Sequence, residues 1–174
     1  HHGTSTQPLK MHAYKVHFVN AGNQTPSGEN LLGKRHNFFL GNDPGNGAGK
    51  VASFGKIIYK NIYQGIDLHA YSNGGHFKYD FVVAPHAPTS AIQLKYEGVD
   101  GLALAEGNLV ISTSVEDIIE QEPLAWQIVN GQKVMVKCQY KLNGDEVGFD
   151  FPNGYDTALE LVIDPTVIAA TVAG

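Results

Sequence analysis

Apolar and polar residues alternate with a period of two along almost the whole chain. In Tyr14-Lys15-Val16-His17-Phe18 the residues Tyr14, Val16 and Phe18 fall on one side, and Lys15 and His17 on the other. That period marks half-buried β-strands, whose successive side chains point to opposite faces. The same pattern, bounded by turn residues, predicts further strands near 36–40, 56–60, 67–72, 76–83, 91–97, 101–105, 108–113, 124–129, 133–142, 146–151 and 159–164. No helix of ordinary length is expected. Ser114 to Glu122 is ambiguous: Ser114 followed by Asp117 imitates a capping box, but the stretch is short and ends at Pro123, so a strand or short turn is expected.

Several hairpins acquire a register, because a slip of one residue turns every apolar side chain outward. With Asn143-Gly144 as a two-residue turn, Tyr140 faces Val147, Cys138 faces Phe149 and Val136 faces Phe151. A two-residue turn at Asn130-Gly131 would set Ile128 against Lys133 and Trp126 against Met135. A three-residue loop, Asn130 to Gln132, instead pairs Ile128 with Val134 and Trp126 with Val136, and is the expected one. Glu106-Gly107 joins Leu102 and Leu104 to Ile111 and Leu109. The stretch from Leu124 to Phe151 thus reads as a meander with Trp126 at the centre of its buried face. The first-half hairpin, with Leu68, Ala70, Phe77, Tyr79 and Phe81 on one face, is its natural cover. The fold class expected is all-β, an antiparallel β-sandwich built from successive hairpins, with little or no helix.

Composition agrees with many short strands: 43% of the 174 residues are hydrophobic and only 17% charged, and 20 glycines and 8 prolines punctuate the chain. The length suits one domain with a substantial core. We expect residues 1–11 to be a tag or the remnant of a missing N-terminal segment, 12–165 to be a single all-β module, and 166–174 to be a linker to the next domain. Within the module, two packed sheets would comprise about 12–85 and 90–165. The formal charge of −5 comes from scattered carboxylates with no basic stripe, which argues against nucleic acid as a partner. No apolar run reaches the length of a membrane span, so no membrane insertion is expected. The single cysteine, Cys138, alternates with Val136, Tyr140 and Leu142 and reads as a core residue.

Candidate chemistry is sparse. Asn42 to Lys50 imitates a phosphate-binding loop, but Pro44 replaces the first glycine and Val51 the Ser or Thr that would hold magnesium, so a surface loop is expected. The same loop lacks the terminal acid of a calcium-binding EF-hand. Eight histidines show no zinc spacing, and no metal or cofactor is expected. Glu116, Asp117, Glu120 and Glu122 read as a charged edge or loop rather than a glycosidase pair. No nucleophile elbow occurs, and no enzyme is expected. The best polar cluster is the outer face of the hairpin from Asp67 to Asp80. A turn at Asn73-Gly74 sets His69 against Lys78 and Tyr71 against His76, whereas a turn at Gly74-Gly75 sets His69 against Asp80 and Tyr71 against Lys78. Asp67, His69, Tyr71, His76 and Asp80 are the candidate ligand-binding residues.

Phe38-Phe39-Leu40-Gly41-Asn42-Asp43-Pro44, Tyr63-Gln64-Gly65-Ile66-Asp67-Leu68 and Tyr79-Asp80-Phe81-Val82-Val83-Ala84-Pro85 together resemble a bacterial module of unassigned function. So do Ile92 to Gly98, Pro123 to Gln127 and Leu161 to Pro165, so that the resemblance runs from about His12 to Pro165. Modules similar to this stand near the N-terminus of large secreted or surface proteins, frequently of Bacteroidetes, ahead of β-propeller (SBBP-type) repeats, PKD-like domains or gliding-motality and C-terminal-secretion segments. Pro85-His86-Ala87-Pro88 departs from the more usual Pro-Gly-Ala-Asp-Pro. The resemblance implies an extracellular location, secreted or at the cell surface, and a noncatalytic scaffold or interaction role related to adhesion. The partners implied are neighbouring domains of the same polypeptide and a cell-surface glycan or protein. The alternative is a carbohydrate-binding or accessory module of a polysaccharide-degrading enzyme, with exposed aromatics such as Tyr63 and Tyr71 stacking on sugars.

Overall fold

Where the two-residue period runs for four or more positions the chain is extended, and the strands so formed pair only with antiparallel neighbours. The computed structural model describes residues 14–22, 37–40, 56–73 and 76–165, and of 37–40, 56, 72–73 and 76–77 the backbone alone. The described residues form fourteen strands: β1 (Tyr14–Phe18), β2 (Asn37–Leu40), β3 (Lys56–Tyr63), β4 (Ile66–Asn73), β5 (His76–Val83), β6 (Leu94–Glu97), β7 (Gly101–Ala105), β8 (Asn108–Ser112), β9 (Asp117–Glu120), β10 (Leu124–Val129), β11 (Gln132–Val136), β12 (Gln139–Asn143), β13 (Glu146–Asp150) and β14 (Leu161–Asp164). Their only helical element is a 3-10 turn at Thr89–Ala91. The fold is the all-β sandwich that the alternation implies. The Asn42–Lys50 loop lies outside the described residues.

Three sheets result, ordered β12-β13-β6-β1-β2, β11-β10-β14-β5-β4-β3 and β7-β8-β9. Each of the two large sheets draws strands from both ends of the chain, so a division into one sheet from 12–85 and another from 90–165 does not hold. The expected meander is likewise split, because the run at 133–142 breaks at Lys137–Cys138. There the chain leaves β11 in the six-stranded sheet and enters β12 in the five-stranded one. The first-half hairpin β4–β5 therefore shares a sheet with β10 instead of covering it, and β14 lies between them.

The inner faces meet through aromatic rings. Phe81 of β5 packs edge-on against Phe18 of β1 and Phe149 of β13, each with ring centroids 6.0 Å apart, and so ties the six-stranded sheet to the five-stranded one. Leu68, Leu94, Val147, Leu161 and Ile163 are fully buried around it. The small third sheet turns Leu109 and Ile111 into the same core, with the pairings Leu102 to Ile111 and Leu104 to Leu109 that the Glu106-Gly107 turn implies. Cys138 is buried as the alternation predicts, and burial, followed by the nearby charges of Asp150 and Glu122, pushes its thiol up to about 12. Such a thiol is a packing group and not a nucleophile.

Two registers differ from expectation. In β12–β13 the loop is Gly144-Asp145, so Leu142 faces Val147 and Tyr140 faces Phe149, a shift of two that leaves the apolar face unchanged. In β10–β11 the turn is the two-residue Asn130-Gly131, with both residues left-handed at φ 50° and 77°. That is the type I′ geometry matching the twist of paired strands. Trp126 consequently pairs with Met135, and Ile128 with Lys133, on the outer face. The inner positions belong to Ala125 and Gln127. A buried glutamine is tolerated because its amide is saturated: Nε2 donates to the Asp156 carbonyl at 2.7 Å, and Oε1 accepts from the Asp156 N–H at 3.0 Å. Trp126, half-buried rather than central to the core, carries the Lys133 ammonium 3.9 Å from its ring centroid.

Candidate functional site

The hairpin β4–β5 adopts the Gly74-Gly75 register: His69 faces Asp80, Tyr71 faces Lys78 and Asn73 faces His76. Burial alternates along it, with Leu68, Ala70, Tyr79 and Phe81 inside and Asp67, His69, Tyr71, Lys78 and Asp80 half-buried outside. Four of the five candidate residues thus share one face as predicted; the side chain of His76 lies outside the described residues. Tyr71 Oη donates to Asp80 Oδ2 at 3.2 Å, and burial and then the charge of Asp80 push its hydroxyl up to about 12. Asp164, the next step of the β14–β5 ladder, adds its charge to the same hydroxyl. Its Oδ1 is buried without a hydrogen-bond partner among the described residues.

Asp67 is committed to structure. Between Tyr59 and Tyr63 the register of β3 against β4 shifts by a bulge, and Asp67 holds that bulge. Its Oδ1 accepts the Asn61 N–H at 2.8 Å, while the Lys60 ammonium lies 3.3 Å from Oδ2. The bulge places Ile62 and Tyr63 inward in succession, which regular alternation forbids. Tyr63, expected to be exposed, is therefore only 6% exposed. Its hydroxyl donates to the Gln93 carbonyl at 3.0 Å, and that carbonyl also accepts the Val19 N–H at 2.9 Å.

A cleft of about 730 Å³ opens where these three segments are tied together. Asn20, Asn61, Gln64, Ser90, Ala91 and Gln93 are among the residues that line it. Asn20 and Asn61 both hold left-handed backbone, at φ 58° and 49°, and the Gly22 N–H donates to the Ile62 carbonyl at 2.9 Å.

Elsewhere on the outer face of the six-stranded sheet, one cross-strand row runs Met135, Trp126, Val162, Val82, Asp67. The face is polar at β4 and apolar at β10–β11, where Leu124, Ile128 and Met135 are 48%, 55% and 55% exposed.

Glu120, read from the sequence as part of a charged edge or loop, is instead buried. It sits on β9 opposite Leu109, is wholly buried, and accepts a hydrogen bond from Tyr96 Oη, 3.0 Å from each carboxylate oxygen. Burial pushes its carboxyl up to about 7, against the opposing pull of the Tyr96 hydroxyl. Tyr14, Tyr79, Tyr96 and Tyr140 are each held above the ordinary tyrosine range, by burial first and by the charge of Glu120 second. The detectable signal was the alternation in Asp117-Ile118-Ile119-Glu120, which puts Glu120 on the side of Ile118.

Among the described residues, no group of three or more His, Cys, Asp or Glu side chains is placed to hold a metal ion. No curated protein and no solved structure matches the chain. A family model does match it, over residues 1–166, and the chain belongs to that family, the domain of unknown function DUF7948.

Proposed function

We propose that the domain is a noncatalytic scaffold or interaction module of a large secreted or cell-surface bacterial protein, standing ahead of SBBP-type repeats or gliding-motility and secretion segments and serving adhesion. Its first partner is the neighbouring domain of the same polypeptide. The observation that carries this reading is the apolar patch on β10–β11. Leu124, Ile128 and Met135 surround Trp126 on the face turned away from the core, whose side of β10 is already filled by the buried Ala125 and Gln127. Contiguous apolar exposure of this kind marks protein contacts. Asp164 pairs with Leu124, so the chain leaves β14 beside the patch, where a following domain would rest. The buried position of Glu120 supports the noncatalytic part of the reading, since its carboxyl is sealed under tyrosines away from any substrate.

Hydrogen exchange of the isolated domain, compared with the longer polypeptide that this reading requires, tests it. Added protection across 124–136 in the longer protein, lost in Leu124→Ser/Ile128→Ser/Met135→Ser, is the expected result. Equal exchange in both settings overturns it.

A further inference from the structure

We infer that the cleft between the Asn20 turn, the β3 bulge and the Ser90–Gln93 segment is a binding site for an uncharged, polyhydroxylated ligand, an oligosaccharide of neutral sugars. The lining decides the class. Asn20, Asn61 and Gln64 offer three carboxamides and Ser90 a hydroxyl, while Gln93 Nε2 donates to the Ser90 carbonyl at 3.5 Å and leaves its own Oε1 as an acceptor; no charged side chain among the described residues lines the cleft. A carboxamide presents an acceptor and two donors side by side, which suits adjacent sugar hydroxyls that each donate and accept. An ionic ligand would find no countercharge in the lining, and desolvating it there would be costly. Ala91 adds a small apolar surface for the C–H face of a sugar ring.

Preorganisation is the second support. The Gln93 carbonyl joins β1 to the bulge by accepting from both Val19 N–H and Tyr63 Oη, and the Gly22 N–H closes the third side on Ile62. The walls are thus cross-tied by hydrogen bonds before any ligand arrives, which lowers the ordering cost of binding. Gly148 leaves room for the Gln93 side chain, since a Cβ there would lie 3.3 Å from Gln93 Nε2. The volume of about 730 Å³ falls within the range of ligand clefts. This site shares no residue with the β10–β11 patch and is independent of the partner proposed for it.

The test is a nitrogen-15 NMR titration of the domain with gluco-, manno-, xylo- and galacto-oligosaccharides, using oligogalacturonate as the acidic control. Saturable shifts of the Asn61, Gln64 and Gln93 side-chain amides, with a Kd below about 1 mM for at least one neutral sugar, are expected. Gln64→Ala, at an exposed position, and Asn61→Gly, which keeps the left-handed backbone, should each weaken binding about tenfold, while Lys133→Ala on the remote hairpin should leave it unchanged. The proposal is overturned by absence of saturation with all four neutral series up to about 10 mM, by equal or tighter binding of oligogalacturonate, or by cleft variants that bind like the parent. None of these outcomes bears on the Leu124 patch, which is probed by other variants.

Discussion

Tyr96 Oη lies 3.0 Å from both carboxylate oxygens of Glu120, making one hydroxyl the direct partner of a fully buried acid. Because burial raises the carboxyl to about 7 from an ordinary value near 4.5, the folded domain holds this proton more tightly than the unfolded chain. Stability from this group is therefore fully present below about pH 4.5 and declines as pH rises through about 7. Thermal unfolding should show a melting temperature that falls between about pH 5 and pH 8. Glu120→Gln, which still accepts from Tyr96, should flatten that slope and gain on the order of 2–3 kcal/mol at pH 8 with little change at pH 5.

Phe81 packs against rings of the facing sheet on two strands, so its loss opens a cavity between layers and not merely within one. Phe81→Ala should cost about 3–5 kcal/mol in denaturant unfolding. Phe81→Leu, which keeps most of the volume, should cost clearly less.

Gln127 clamps the chain at Asp156 by donating to its carbonyl and accepting from its N–H. Gln127→Ala leaves both backbone groups without this partner, at a cost of about 1–3 kcal/mol. Hydrogen exchange should quicken at Asp156 while the β4–β5 amides stay protected.

Gly65 turns the chain from β3 into β4 at φ 73°, and a Cβ there would lie 2.9 Å from the Cβ of Ala87. Strain and collision act together, so Gly65→Ala should destabilise by about 2–4 kcal/mol in chemical denaturation. Adding Ala87→Gly removes the collision and should recover part of the loss.

Most of what could be read from the sequence depends on neighbours close along the chain, although the equally local β12–β13 turn lies one residue later than the expected Asn143-Gly144. The pairing of Leu102 with Ile111 needs only a short turn and two apolar runs, and the sharing of one face by His69, Tyr71 and Asp80 needs only alternation. Trp126 escaped because its parity is set by Gln127, whose amide finds its partner at Asp156, and nothing near Trp126 announces that contact. Glu120 escaped for the same reason: among Glu116, Asp117 and Glu122 it reads as a solvated acid, yet the tyrosines around it come from β1, β5, β6 and β12. The cleft was illegible because a bulge, two left-handed asparagines and a distant glutamine must converge to form it.

The seating of β14 between β10 and β5 carries a consequence for biosynthesis. Emerging from a ribosome, the β3–β4–β5 and β10–β11 ribbons have no shared edge until Leu161–Asp164 arrives to zip them together. Completion of the larger layer must therefore wait until Leu161–Asp164 has emerged, leaving greasy surfaces uncovered meanwhile. A holdase that shields nascent chains would suit such a late-closing architecture.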